Sequence, residues 1–206
     1  TALTYDDFAW QQEKQVLVDH PQRAEGLHRV LYQCAHCGQE YRMRSQGTQL
    51  SCAACGKTWE MTGFGQLRAL EGETEFSSPP AWYEWQRQNV RVEVRAGTYS
   101  MESEVLIDDL PSSSGFVPLG RGMLRHDMNG MVLKGSHLGE QFEVVKANQS
   151  LYSIHVEFNY LDKKRDCVDI STLEDSFFAY PLSEDSSVTK ISLAVEELYN
   201  LEMEKP

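Results

Sequence analysis

The 206-residue chain has no surplus of positive charge: nineteen Lys and Arg stand against thirty-one Asp and Glu, a net charge of −12. Proteins that live on phosphate contacts draw much of their affinity from a basic face that releases counterions, so nucleic acid is not an expected partner. The deficit is lopsided. Residues 1–98 carry ten bases against twelve acids, and residues 99–206 carry nine against nineteen. Long apolar runs are missing too, none approaching the roughly 18 residues that span a bilayer. The amino-terminal TALTYDDFAW lacks the basic flank and hydrophobic stretch of a secretory signal. These absences read as a soluble, unsecreted, cytoplasmic chain, and a start at Thr1 without Met reads as a piece of a longer protein. No Gly-rich phosphate loop, G-x-S-x-G elbow or H-E-x-x-H is found.

Cysteine is also scarce, with five in all, yet four of them crowd into CAHCGQEYRMRSQGTQLSCAAC, residues 34 to 55. Cys34 and Cys37 form one C-x-x-C and Cys52 and Cys55 the other, the design of a zinc ribbon. Two thiolates three positions apart on a tight turn can grip one tetrahedral ion, and a second turn completes the sphere with no open position. A glycine after each pair, in CAHCGQ and CAACGK, lets the backbone curl toward the sulfurs. The expected metal ligands are therefore Cys34, Cys37, Cys52 and Cys55, holding a structural Zn2+, although four thiolates also suit iron. Disulfides or unrelated thiols are the rival reading, disfavoured without a secretory signal. His28 and His36 read as non-ligands, and no catalytic or cofactor-binding residue is assigned.

The segment between the pairs reads as a hairpin turning at Gly47. Upstream, TYDDFAWQQEKQVL, residues 4–17, predicts a helix capped by Thr4 with Tyr5, Phe8, Gln12 and Val16 on one face, and RAEGLHRVLY a short helical stretch. GFGQLRALEGETEF reads as loop or weak strand. SSPPAWYEWQRQNV has the serine and prolines that start a helix of about three turns. Its Trp82, Tyr83 and Trp85 could anchor at a membrane or stack on bases, but an aromatic plug between small domains is the more ordinary role.

From Val90 the period reads as two, in VRVEV and then YSMESEVLID, where Met101, Ser103, Val105 and Ile107 face one way. GFVPLGRGMLRH and GMVLKG join through Asn129-Gly130, a strong hairpin signal. Further strands are expected at EQFEVVKA, at YSIHVEFNY with Ile154, Val156, Phe158 and Tyr160 on one face, at DCVDIST and at SFFAYPL. KISLAVEELYNLEM returns to helical period, with Ile191, Val195, Leu198 and Met203 on one side. The fold class is thus mainly β with flanking helices (α+β): a zinc ribbon, then a pleckstrin-homology-like antiparallel barrel or sandwich closed by a carboxy-terminal helix. The expected divisions are a helical lead-in over 1–30, the ribbon over 31–75, an aromatic linker helix over 76–90 and the β-domain over 91–206.

His155 reads as solvated beside Glu157, His126 as a turn residue beside Asp127, and Cys167 as a structural thiol whose flanking Asp166 and Asp169 disfavour the thiolate. Asn148-Gln149-Ser150 fits a glycosylation acceptor, but a zinc-thiolate protein without a signal is not expected to meet the machinery. Lys163, Lys164 and Arg165 are the basic cluster of the acidic half, best read as a solvated hairpin tip.

The run RAEGLHRVLYQCAHCGQEYRMRSQGTQLSCAACGKTWEMTGFGQL, with LEGETEF and AWYEWQRQNVRVEV, resembles the region that follows the catalytic domain in long bacterial 1-acyl-glycerol-3-phosphate acyltransferases, mainly of Gram-positive bacteria. GFVPLGRGMLRHDMNGMVLKG, CVDISTLEDSFFAYPL and VTKISLAVEELY resemble the end of the same proteins. The family's acyl transfer depends on a His with an Asp five positions on. Five positions after each histidine here stand Glu25, Gln33, Tyr41, Met131, Phe142 and Tyr160, so the motif is missing. The resemblance implies a non-catalytic accessory or regulatory module of a phospholipid-synthesis acyltransferase. Its partner would be the upstream catalytic domain or another protein, with any contact at the inner face of the plasma membrane made through the parent. The alternative is a zinc-ribbon adaptor for protein or nucleic acid unrelated to lipids.

Overall fold

Asp6 accepts the backbone N–H groups of Phe8 and Ala9 at 3.0 Å and so caps helix α1 (Asp7–Glu13), placing a carboxylate at the positive end of the helix dipole. The computed structural model describes residues 6–111, 115–162, 165–173 and 175–204. The expected cap, Thr4, lies outside them, as do Lys163 and Lys164. The helix is shorter than its sequence pattern: Gln15 has a φ of 53°, which stops helical hydrogen bonding before Val16.

The chain divides into two units, Thr1–Arg87 and Gln88–Pro206. In the first, the short helix α2 (Leu27–Val30) leads to an antiparallel meander of β1 (Met43–Gln46), β2 (Gln49–Cys52), β3 (Thr58–Met61) and β4 (Leu67–Ala69). Met43 pairs with Cys52 and Gln46 with Gln49, so the expected hairpin forms, with Gly47 at a φ of 61° in its turn. Leu31, Met43, Leu50, Trp59, Leu67 and Trp82 fill the core together with Cys34 and Cys52. Helix α3 (Pro79–Arg95) contributes Trp82 to that core from its first turn, and the boundary between the units falls within this helix.

The strand-like pattern over VRVEV is helical instead, part of α3. Val90 and Val94 are buried while Val92 is 67% exposed. Alternation over five residues places its two ends at i and i+4, one face of a helix, so so short a stretch satisfies both periods.

The second unit is a seven-stranded antiparallel sheet. Its strands are β5 (Ser100–Asp109), β6 (Val117–Asp127), β7 (Gly130–His137), β8 (Glu140–Lys146), β9 (His155–Glu157), β10 (Cys167–Ser171) and β11 (Ser176–Pro181), in the order β8-β7-β6-β5-β11-β10-β9. The mainly β, α+β class is as the sequence indicates. The sheet is open rather than a closed barrel, because among the described residues β8 and β9 do not pair. Val105, Ile107, Leu124, Met131, Leu133, Val168, Ile170 and Ala179 form one apolar face, and helix α4 (Val188–Met203) covers it with Val188, Ile191 and Val195. Ser187 caps α4 through its hydroxyl, which accepts from the Lys190 N–H. Met203 is exposed.

Strand β9 ends before the sequence pattern does. Asn159 and Leu161 take φ values of 54° and 48°, turning the chain so that Tyr160 stacks on Phe178 at 5.4 Å instead of continuing the face of Val156. Tyr160 joins Phe116, Leu106 and Leu110 around Cys167, Phe178 and Tyr180.

Candidate metal centre

The two C-x-x-C segments fold as near copies. In the first, the Gly38 N–H donates to the Cys34 carbonyl at 2.9 Å and the Cys34 N–H to the Gln39 carbonyl at 2.9 Å. In the second, Gly56 donates to Cys52 at 2.8 Å and Cys52 to Lys57 at 2.9 Å. Gly38 and Gly56 have φ values of 75° and 78°, a left-handed conformation that costs glycine nothing and other residues strain. That is the physical reason for the repeated CG.

These knuckles bring the four expected ligands together: Cys34, Cys37, Cys52 and Cys55 hold their sulfurs within 4.8 Å of one another, a tetrad that can hold a metal ion. The Sγ atoms of Cys34 and Cys55, and of Cys37 and Cys52, lie 3.8 Å apart. A tetrahedral site with metal–sulfur bonds of ~2.3 Å has edges of about 3.8 Å. The donor set therefore fits a tetrahedral ion in size and chemistry. All four thiols are free of disulfides, against the rival reading. Cys34 and Cys52 are buried and Cys37 and Cys55 exposed. Burial pushes the Cys34 thiol up despite the Cys37 and His36 N–H groups that face it. At Cys37 burial would raise the thiol, but the Gln39 N–H and the neighbouring thiols together outweigh it, and the thiol is lowered.

Neither histidine near the tetrad belongs to it. His28 Nδ1 lies 2.7 Å from Ser45 Oγ, and His36 Nδ1 lies 2.9 Å from Glu75 Oε1. The same carboxylate oxygen is 2.8 Å from Lys57 Nζ, and Oε2 accepts the Trp59 indole N–H at 2.9 Å. Lys57 also donates to the Glu73 carbonyl at 2.7 Å and stands 5.8 Å from the Trp59 ring centroid. Partial burial would raise Glu75, but Lys57, its own backbone N–H, Trp59 and His36 all favour the carboxylate and hold it low. Sequence reasoning missed Glu75 and Trp59, since nothing in a spacing rule ties a carboxylate in GETEF to the cysteines.

The aromatic helix sinks Trp82 into the core, while Tyr83 and Trp85 are partly buried against it. Trp82 is buried and its indole N–H donates to the Gln33 carbonyl at 2.9 Å. Gln86 Nε2 donates to the Val30 carbonyl while its Oε1 accepts from the Gln33 N–H. Trp59 and Trp82 thus offer no stacking platform to a base.

The residues weighed for catalysis in the second unit sit in unlike surroundings. His126 is fully buried beside Tyr99, whose hydroxyl lies 3.2 Å from Nδ1; its neighbour Asp127 pairs with Arg125 instead. His155 is exposed and pairs with Glu157 at 2.9 Å. Cys167 is buried and its thiol pushed up to about 12 by desolvation and by Glu157, the opposite of an activated nucleophile. Asn148 is buried, and its amide donates to the Asp127 and Met128 carbonyls at 3.3 and 3.1 Å, so the sequon's acceptor nitrogen is engaged in the fold. Among the described residues no helix is long and apolar enough to cross a membrane.

No family model matches the chain, and no curated protein sequence matches it.

Proposed function

We propose that this chain is a non-catalytic, zinc-stabilised accessory module. The observation that carries the reading is the tetrad itself: four cysteine sulfurs within 4.8 Å of one another on twin glycine-ended knuckles. Four thiolates leave no position for a substrate or an activated water, so the ion would serve the fold. The apolar core of the first unit is built around Cys34 and Cys52, and zinc binding would add to its folding free energy, on the order of 10–16 kcal/mol in small zinc domains.

The parent we propose, on the sequence resemblance, is a 1-acyl-glycerol-3-phosphate acyltransferase of phospholipid synthesis, with the module docking on or regulating the catalytic part at the cytoplasmic membrane face. The alternative is a zinc-ribbon adaptor for protein or nucleic acid unrelated to lipids; burial of Trp82, with Trp85 partly buried against the same core, weighs against its nucleic-acid form. The test is metal content by mass spectrometry on the chelator-washed chain, followed by calorimetric titration of the chain into the catalytic domain of such an acyltransferase. One zinc per chain and saturable binding are expected. Absence of stoichiometric zinc overturns the metal reading, and absence of binding overturns the acyltransferase reading alone.

A further inference from the structure

We propose that Glu75 is a positioning residue for the cysteine tetrad, bracing both knuckles at once and so slowing loss of the metal. This rests on the reading of the tetrad as a zinc site. His36 sits inside the first knuckle, between Cys34 and Cys37, and Lys57 directly follows the second, two positions after Cys55. Both reach a single oxygen, Oε1 of Glu75, at 2.9 and 2.8 Å. One carboxylate therefore ties together two loops that are separated in sequence and meet at the sulfur cluster.

The brace is itself anchored. Glu75 Oε2 accepts the indole N–H of the buried Trp59, which fixes the plane of the carboxylate against the core. The Lys57 side chain is only 11% exposed, and its ammonium is further held by the Glu73 carbonyl. A charge that sheltered needs its counter-ion, because leaving it unpaired costs the desolvation that the pair offsets. The segment is fastened at both ends, by the Ala69 N–H donating to Thr74 Oγ1 at 2.9 Å and by the Leu67 N–H donating to the Ser77 carbonyl at 2.9 Å. Glu75 is thus held by the ribbon's own core and strands rather than by the metal loops it steadies. Groups that orient metal ligands without touching the ion typically change metal affinity about 10- to 100-fold.

The experiment follows transfer of zinc from the full, zinc-loaded chain to a colorimetric chelator. Glu75→Gln keeps the size of the side chain and an oxygen for Trp59 but removes the charge that gathers His36 and Lys57. Transfer is expected to be ~10-fold faster or more in Glu75→Gln and Lys57→Met, less accelerated in His36→Ala, and largely restored in Glu75→Asp. Acceleration in the Lys57→Met, Glu75→Gln double variant should fall short of the product of the two singles, since both break one contact. Cobalt-substituted protein should keep its tetrahedral thiolate spectrum in every variant, which separates a loosened site from a lost one. Zinc release at the wild-type rate from Glu75→Gln overturns the brace. If Glu75→Gln fails to fold, His36→Ala, altered at a half-exposed side chain, carries the test, and its unchanged release rate overturns the brace. A wild-type chain that takes up no stoichiometric zinc overturns the metal reading and the brace together, whereas one zinc in wild type with slow release from Glu75→Gln overturns the brace alone.

Discussion

The indole of Trp82 meets that of Trp59 edge-on, ring centroids 4.8 Å apart at an interplanar angle of 68°, and neither ring reaches solvent. Each indole N–H nevertheless has an acceptor, the Gln33 carbonyl for Trp82 and Glu75 for Trp59. Truncating either ring would open a cavity and strand an acceptor. Trp82→Ala should cost about 3–5 kcal/mol, read as a lower urea midpoint for the metal-loaded first unit and loss of its near-ultraviolet dichroism.

Serine in place of any tetrad cysteine should abolish stoichiometric metal uptake, while Cys167→Ser, remote in sequence and in a separate apolar cluster, should leave it intact. Metal analysis of the five single variants decides this. Retention of one ion by Cys52→Ser would show that the four sulfurs do not act as a set.

His126 is buried, and desolvation lowers its imidazole to about 4 from the usual 6.5, against smaller opposing effects of Asn148 and Asp127. A folded-state value below the unfolded one means that the neutral ring stabilises the fold above pH 6.5 and that this contribution is lost as pH falls toward 4. The shift corresponds to roughly 3 kcal/mol. NMR titration should show the ring neutral down to about pH 4, and His126→Gln should flatten the acid limb of the second unit's unfolding curve. An imidazole titrating near 6.5 in the folded protein would contradict this.

Glu197 lies almost wholly inside the second unit, with a side-chain exposure of 3%, and takes a two-pronged contact from Arg91 at 2.7 and 3.1 Å. Arg91→Ala would leave a buried carboxylate short of its strongest partner. Because Arg91 is itself 38% exposed, the cost should sit near 2 kcal/mol, below that of fully buried pairs. The double variant Arg91→Met, Glu197→Leu should recover most of it in a thermal melt.

What the sequence revealed and what it hid follow from the range of the interactions. The tetrad was legible because each knuckle is local: two cysteines and a glycine within five residues determine the turn, and the turn determines where the sulfurs point. Strand β5 was legible because Ser103 and Val105 alternate with the exposed Glu102 and Glu104, and β6 and β7 because Asn129-Gly130 marks the turn that joins them. The extension of α3 was hidden because Val90 and Val94 satisfy both periods. The end of β9 was hidden because the reversal depends on Asn159 and Leu161 adopting positive φ, which no hydrophobic pattern encodes. Strand β3 was hidden as well, its Trp59 buried against a residue 23 positions away. Glu75 was invisible for the same reason, since its partners lie in two loops that meet only once the metal centre is built.

The unequal burial of the cysteines gives the centre a front and a back. In each knuckle the first cysteine is sunk in the core and the second faces outward, so an incoming chelator or oxidant can engage only Cys37 and Cys55. Extraction of the ion would proceed as a peeling from one side, with the outward pair surrendered in turn while Cys34 and Cys52 still hold. Alkylation of a slowly stripped sample should therefore label the outward pair first, a temporal order imposed by nothing more than which sulfur each turn buries.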